Sequence, residues 1–238
     1  MQRPALCNCA MNKTFPILVQ AVMIDLDGTL LDTIPDLAAA TNRMLEALDR
    51  APLSLKTVST YVGKGIPRLV ERALAGNIDG SASDSAMAQA LPVFERFYAE
   101  ENGRHTKIYP GVRDGLEQLR AAGFPLACVT NKAGAFAQPL LERMGLTPFF
   151  AQIIAGDTLP RKKPDPQQLL HACAQFGVAP AKMLMIGDSV NDVQAARAAG
   201  CPVFCVPYGY NEGRAVQSLD VDAIVAALTD CIPLIKKG

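Results

Sequence analysis

The chain has 238 residues, half of them apolar, with 23 basic residues balanced against 23 acidic ones. That length allows one α/β core carrying an inserted lobe, and the balanced charge excludes a bulk field that would draw in nucleic acid or an anionic membrane. The seven cysteines are odd in number and set mostly inside apolar runs, so they read as small core residues in a reducing cytoplasm.

Taken in chain order, residues 1 to 10 read as a dispensable extension or a misassigned start ahead of Met11. Cys7-Asn8-Cys9 finds no His or Cys group with zinc-like spacing to complete it. The apolar segment before Gln20 is short and interrupted by Pro, Asn and Lys, which argues against a signal or membrane helix. Nearly continuous apolar runs then predict strands at Gln20 to Asp25, Pro125 to Thr130, Ala151 to Ala155, Met183 to Gly187, Pro202 to Val206 and Asp222 to Val225. Helical patterns fall between most of them, so the class is α/β with a parallel sheet. The gap between the first two strands breaks this rhythm. It holds three apolar faces at helical spacing: Leu37, Thr41, Met44, Leu45 and Leu48; Ile66, Leu69, Val70, Ala73 and Leu74; and Met87, Leu91, Phe94 and Tyr98. This predicts a helical lobe over residues 34–105, inserted in a core formed by residues 1–33 and 106–238, with hinges at Leu30 to Pro35 and Asn102 to Gly111.

Ligands in open parallel sheets sit beyond the carboxyl ends of the strands, and chemistry-bearing residues collect there. The first strand ends in Asp25-Leu26-Asp27-Gly28-Thr29. Asp27-Gly28 alone is a tight-turn signal, but a turn does not explain Asp25, an acid that costs several kcal/mol to desolvate unless a cation or strong donors are near. Met183 to Gly187 ends in Asp188-Ser189-Val190-Asn191-Asp192, which helix capping alone would also explain. Taken together, these acids on neighbouring strand ends call for a hard cation with oxygen ligands, and Mg²⁺ fits. Thr130-Asn131-Lys132 offers hydroxyl and amide donors, and Lys162-Lys163-Pro164 places cations in a stiffened loop, so an anion cradle is expected. Separately, these two signals would read as a helix cap and solvated surface.

These residues resemble the four ordered motifs of the haloacid dehalogenase superfamily: Asp25-Leu26-Asp27-Gly28-Thr29, Thr130, Lys163-Pro164, and Gly187-Asp188 through Asp192. The resemblance runs from about Gln20 onward. It implies a Rossmann-like core with an inserted helical cap, and a Mg²⁺-dependent phosphomonoester hydrolase working through an aspartyl-phosphate. In that scheme Asp25 is the nucleophile and Asp27 the general acid and base. Asp25, Asp188 and the Asp27 carbonyl hold Mg²⁺ with Asp192 nearby, while Thr130 and Lys163 hold phosphoryl oxygens and Lys162 is the fallback. A true dehalogenase attacks carbon and needs neither metal nor a second acid, so Asp27 argues against it.

Substrate choice falls to the inserted lobe. Tyr61-Val62-Gly63-Lys64-Gly65-Ile66-Pro67-Arg68 is either a plain helix–helix turn or a site where Lys64 and Arg68 face the cleft and receive a second anionic group. The stretch through Leu74, and Pro207-Tyr208-Gly209-Tyr210, are similar to phosphoglycolate phosphatases. That makes 2-phosphoglycolate the first candidate, with Asn131, Lys64 and Arg68 as further substrate-binding residues. Other sugar phosphates or nucleotides, a phosphosugar mutase, and a non-catalytic scaffold stay as alternatives. His105 and His171 have no nucleophile beside them and read as structural or solvent-facing. Oligomeric state is not readable.

Overall fold

Val22, Met23 and Ile24 are wholly buried, so the strand that carries them needs cover on both faces, and the computed structural model sets it at the centre of a parallel sheet. The structure describes residues 14–238; the N-terminal extension and Cys7-Asn8-Cys9 lie outside the described residues. The elements run β1 (Ile17–Val19), β2 (Ala21–Ile24), β3 (Leu31–Asp32), α1 (Ile34–Ala47), α2 (Leu55–Tyr61), α3 (Ile66–Ala75) and α4 (Asp84–Glu101). They continue with β4 (Lys107–Ile108), α5 (Val112–Ala121), β5 (Leu126–Val129), α6 (Gly134–Arg143), β6 (Gln152–Ile154) and α7 (Gln167–Phe176). The last are β7 (Met183–Gly187), α8 (Val190–Ala199), β8 (Val203–Cys205), β9 (Ala223–Ile224) and β10 (Ile235–Lys237). Among the described residues the main sheet has six strands, in the order β6-β5-β2-β7-β8-β9, and every pairing in it is parallel.

The period-two alternation of a strand sorts its side chains onto two covered faces. Val22, Ile24, Leu126, Cys128, Leu184, Ile186 and Phe204 pack with Val112, Leu116 and Leu119 of α5 and Leu140 and Leu141 of α6. Ala21, Met23, Ala127, Val129, Met183, Met185 and Cys205 pack with Leu169 and Ala172 of α7 and Val193 and Ala196 of α8. Crossover helices therefore lie on both sides, and the strand ends of β2, β5 and β7 open at one edge. Cys128, Cys173, Cys201, Cys205 and Cys231 are buried free thiols within this core.

Helices α1 to α4 form a bundle with its own hydrophobic cluster, including Leu37, Met44, Leu45, Val58, Leu69, Val70, Phe94 and Tyr98. Two connections join the bundle to the sheet, and a short antiparallel pairing, Leu31 with Ile108 and Asp32 with Lys107, holds them together. Asp36, in the first turn of α1, is fully buried and accepts from the backbone of Gly103, His105 and Thr106 and from the Thr106 hydroxyl, at 2.6–3.1 Å. A carboxylate satisfied by four donors makes this junction a fixed point.

Each expected strand is present, Met183–Gly187 at its expected bounds and the others trimmed at their ends. The β1–β10 and β3–β4 pairs were not expected, and helix α2 was implied only by the helix–helix turn that begins at Tyr61. Strands of two or three residues are too short to display alternation. In α2 only Val58 and Tyr61 are buried, which is no stripe; Ser54 marks its start by accepting from the Thr57 N–H at 3.0 Å. Among the described residues no helix is long and apolar enough to cross a membrane.

Candidate active site

Strand β2 hands its backbone to the site directly: the Asp25 N–H donates to the Ile186 carbonyl at 2.9 Å, so Asp25 begins where the ladder ends. Gly28 then turns the chain with φ 87°, and a Cβ there would stand 2.3 Å from the Asp188 carboxylate. Only glycine permits both the left-handed backbone and that approach, so the turn delivers Asp25 and Asp27 to the same cleft as Asp188.

Lys163 sits among these acids, almost wholly buried. Its Nζ lies 2.8 Å from Asp25 Oδ1 and 2.7 Å from Asp192 Oδ1, and donates to the Val129 carbonyl at 2.7 Å. The other oxygen of Asp192 accepts from the Ser189 hydroxyl at 2.7 Å and the Ser189 N–H at 3.1 Å, a cap that fixes the start of α8. Asp188 accepts from the Thr29 hydroxyl at 3.1 Å and from the Tyr210 N–H. Burial pushes Asp25 up to about 7; Lys163 opposes this and Asp192 adds to it. Burial likewise raises Asp188 well above its ordinary value, with Asp192 and Asp25 adding to the effect. Burial pulls the Lys163 ammonium down, but Asp192 and Asp25 outweigh it and hold it above the usual lysine value.

Three buried carboxyl groups share one ammonium, so ionising all of them without a further cation would leave negative charge uncompensated. Ligand atoms of Asp25, Asp188 and Asp192 all lie within 4.8 Å of one another, and Asp25 Oδ1 is buried without a well-aligned hydrogen-bond donor. This oxygen-only cluster can hold a metal ion.

From the end of β5 come Thr130, Asn131 and Lys132. Thr130 is buried and lines the cleft, its hydroxyl accepting from the Lys132 N–H at 3.1 Å. The Asn131 amide donates to the Gly63 carbonyl at 3.0 Å and the Lys163 carbonyl at 2.8 Å, while its Oδ1 is buried without a partner among the described residues. Gln168, wholly buried on α7, accepts from the Lys163 N–H at 3.1 Å and donates to the Thr130 carbonyl at 3.1 Å and the Ala155 carbonyl at 2.9 Å, locking the two loops together. Lys132 reaches Asp27, with Nζ 3.1 Å from Oδ1 and 3.4 Å from Oδ2, and also donates to the Tyr98 hydroxyl of α4. Sequence reasoning missed the roles of Gln168 and Lys132. A lysine just past a strand end looks solvated, and only the packing of α4 over it shows otherwise.

The bundle presents a different wall: Leu37, Val62, Gly63, Gly65, Ile66 and Leu69. The structure corrects the expectation that Lys64 and Arg68 face the cleft. Arg68 lies about 200° round α3 from the cleft-lining Ile66. Its guanidinium is held by Glu71 and by the carbonyls of Gly80 at 3.0 Å and Ile78 at 3.2 Å. Lys64 pairs at 3.2 Å with Glu212, a core residue that also holds the buried Arg72 of the bundle at 2.6 Å. Lys162 is half-buried, stands against Gly65 at the edge of the cleft, and is not the lysine brought to the acids. Burial lowers its ammonium, and no ion pair within 4 Å engages it among the described residues.

This geometry has recognisable relatives. A family model described as haloacid dehalogenase-like hydrolase matches residues 19–200. Phosphoglycolate phosphatase from Nitrosospira multiformis is 56% identical over 94% of this chain and 99% of its own length. The protein of that name from Thiobacillus denitrificans is 52% identical over 95% and 100%. The crystal structure of a predicted phosphoglycolate phosphatase from Haemophilus somnus superposes with a TM-score of 0.85 at 33% identity, covering 90% of this chain and 96% of that one. The chain belongs to the haloacid dehalogenase-like hydrolases and, within them, to the phosphoglycolate phosphatase family.

Proposed function

We propose that this protein is a Mg²⁺-dependent phosphatase that hydrolyses 2-phosphoglycolate to glycolate and phosphate through a phosphorylated Asp25, with the bundle over residues 34–105 acting as its cap. The observation that carries the reading is the contrast between two carboxylates two residues apart. Asp25 is sunk among Lys163, Asp188 and Asp192, while Asp27 faces the cap and Lys132. Two environments on one turn suit two roles. The substrate comes from the printed names of the full-length relatives.

In this mechanism an Asp25 oxygen attacks phosphorus in line, and the ester oxygen leaves as an alcohol with a proton from Asp27. Asp27 then takes a proton from water, the water oxygen attacks phosphorus, and phosphate departs as the Asp25 carboxylate re-forms. Lys163 and the Thr130 hydroxyl hold phosphoryl oxygens, and Asn131 keeps the loop that carries Gly63 against the core. Asp25, Asp188 and the Asp27 carbonyl would hold the metal ion, with Asp192 orienting Lys163 and the head of α8 beside it. The bound ion supplies positive charge to the phosphoryl oxygens. Phosphate monoesters are among the slowest reactions to hydrolyse unaided, with accelerations reaching ~10²¹. One cation at about 4 Å contributes on the order of 4 kcal/mol, so metal and Lys163 must act together. The five buried free thiols fit a cytoplasmic setting.

The test is phosphate release from 2-phosphoglycolate against sugar phosphates and nucleotides, with Mg²⁺ and with chelator, using Asp25→Asn as the blank. Selective release that needs the metal supports the reading. A sugar phosphate turned over faster overturns the substrate, and turnover by Asp25→Asn overturns the nucleophile.

A further inference from the structure

The cation nearest the proton-transfer carboxylate is Lys132, contributed by the loop after β5. Its ammonium has three protons to donate and meets three acceptors: both oxygens of Asp27, at 3.1 and 3.4 Å, and the hydroxyl of Tyr98. All three acceptors belong to the protein, and two of them are the oxygens of Asp27. Lys132 is 5% exposed, so water does not compete for these bonds. Contact with both carboxylate oxygens fixes the plane of the Asp27 side chain, which a single bond would leave free to rotate.

Tyr98 brings the bundle into this arrangement. It lies near the C-terminal end of α4, wholly buried, with its ring 5.6 Å from Phe94 and 4.9 Å from Phe136 of α6. Asn102, just past α4, donates to the Phe136 carbonyl at 2.9 Å, so this end of the helix is seated on the core. The Lys132 ammonium also lies 4.8 Å from the centre of the Tyr98 ring, a second attraction between the same two groups. A chain of contacts thus runs from a cap helix through Lys132 to Asp27.

We propose that Lys132 is the positioning residue for Asp27 and that Tyr98 holds Lys132 in place, so that the proton-transfer carboxylate is aligned when α4 is seated on the core. This rests on the reading of Asp27 as the group that protonates the leaving oxygen. Misplacing a reacting group by about 1 Å can cost on the order of 10²-fold, which sets the size of effect to look for.

Leaving-group dependence of kcat/KM separates positioning from simple binding or packing. A poor leaving group needs its proton from Asp27, whereas a nitrated phenolate leaves without one. Wild type, Asp27→Asn, Lys132→Met, Lys132→Arg and Tyr98→Phe are compared on 2-phosphoglycolate and on phenyl phosphates graded from phenol to 2,4-dinitrophenol. Lys132→Met should lose about 30- to 100-fold on 2-phosphoglycolate and phenyl phosphate and about threefold on the dinitrophenyl ester. Lys132→Arg, which keeps a donor fork on Asp27, should recover most of the loss. Tyr98→Phe should lose about three- to tenfold with the same dependence, and it decides the question if Lys132→Met does not fold.

Equal losses across the series, with Asp27→Asn showing the graded loss, overturn the role of Lys132 and leave the role of Asp27 standing. A flat response in Asp27→Asn itself overturns both.

Discussion

The two walls of the cleft are built on opposite plans. The core wall is crowded with charge: Asp25 and Asp188 are buried at the ends of β2 and β7, Asp192 in the first turn of α8 and Lys163 in the loop before α7. The bundle wall shows the cleft apolar side chains and glycine backbone, and its cations are turned away, Arg68 into the loop after α3 and Lys64 and Arg72 onto Glu212. The contrast fits the division of labour proposed above: a charged sheet edge to carry the reaction and an apolar bundle wall to cover it.

Breaking the core wall should have the largest effects. Lys163→Met removes the cation shared by Asp25 and Asp192 and should lower kcat by about 10²- to 10³-fold in steady-state assays. Metal removal should show the same wall through stability. Asp25 and Asp188 have raised values in the folded chain, so their contribution is full below the ordinary carboxyl value of 3.8 and is lost as pH rises; for Asp25 the loss runs through about 7. Melting in chelator should therefore fall in midpoint across that window, and Mg²⁺ should flatten the fall. An unchanged midpoint in both conditions would mean that these acids are compensated without a metal.

The bundle wall should respond in binding more than in chemistry. Gly65 has φ 86°, and a Cβ there would lie 2.6 Å from the Lys162 ammonium. Gly65→Ala should raise KM about tenfold and leave kcat within about threefold, because the wall shifts while the acids do not. Arg68→Ala should be the mildest change, leaving kcat/KM within about twofold and lowering stability by about 1 kcal/mol in denaturant titration. A large kcat loss in Arg68→Ala would return that residue to the cleft and blur the contrast.

Much of the core wall was legible in the sequence because Asp25, Thr130 and Asp188 stand at strand ends and Asp192 one helical turn further on, while Lys163, in the long loop between β6 and α7, was marked only by the motif resemblance. Apolar runs stop at Asp25, Thr130 and Asp188, and the strand period together with the parallel class fixes where those ends point. The bundle wall was less legible. Helical spacing located α1, α3 and α4, and 100° per residue already turns Arg68 away from Ile66; what it could not show is what holds Arg68 there, since the carbonyls of Ile78 and Gly80 belong to a loop with no periodic signal. Lys132, Asp36 and Gln168 were hidden for a related reason. Each acts through partners distant in the chain, such as Asp27 with Lys132 or Gly103 to Thr106 with Asp36, and no local pattern marks such a pairing.

The central claim is that Asp25 carries the phosphoryl group, and chemical trapping tests it most directly. Enzyme turning over 2-phosphoglycolate with Mg²⁺ is quenched in acid and treated with borohydride, which reduces an acyl phosphate to an alcohol and converts that aspartate to homoserine. Peptide mass spectrometry should find homoserine at position 25, only in samples that received substrate, and absent when Asp25→Asn is used. Homoserine at another acid, or none at any position while phosphate is being released, would contradict the account.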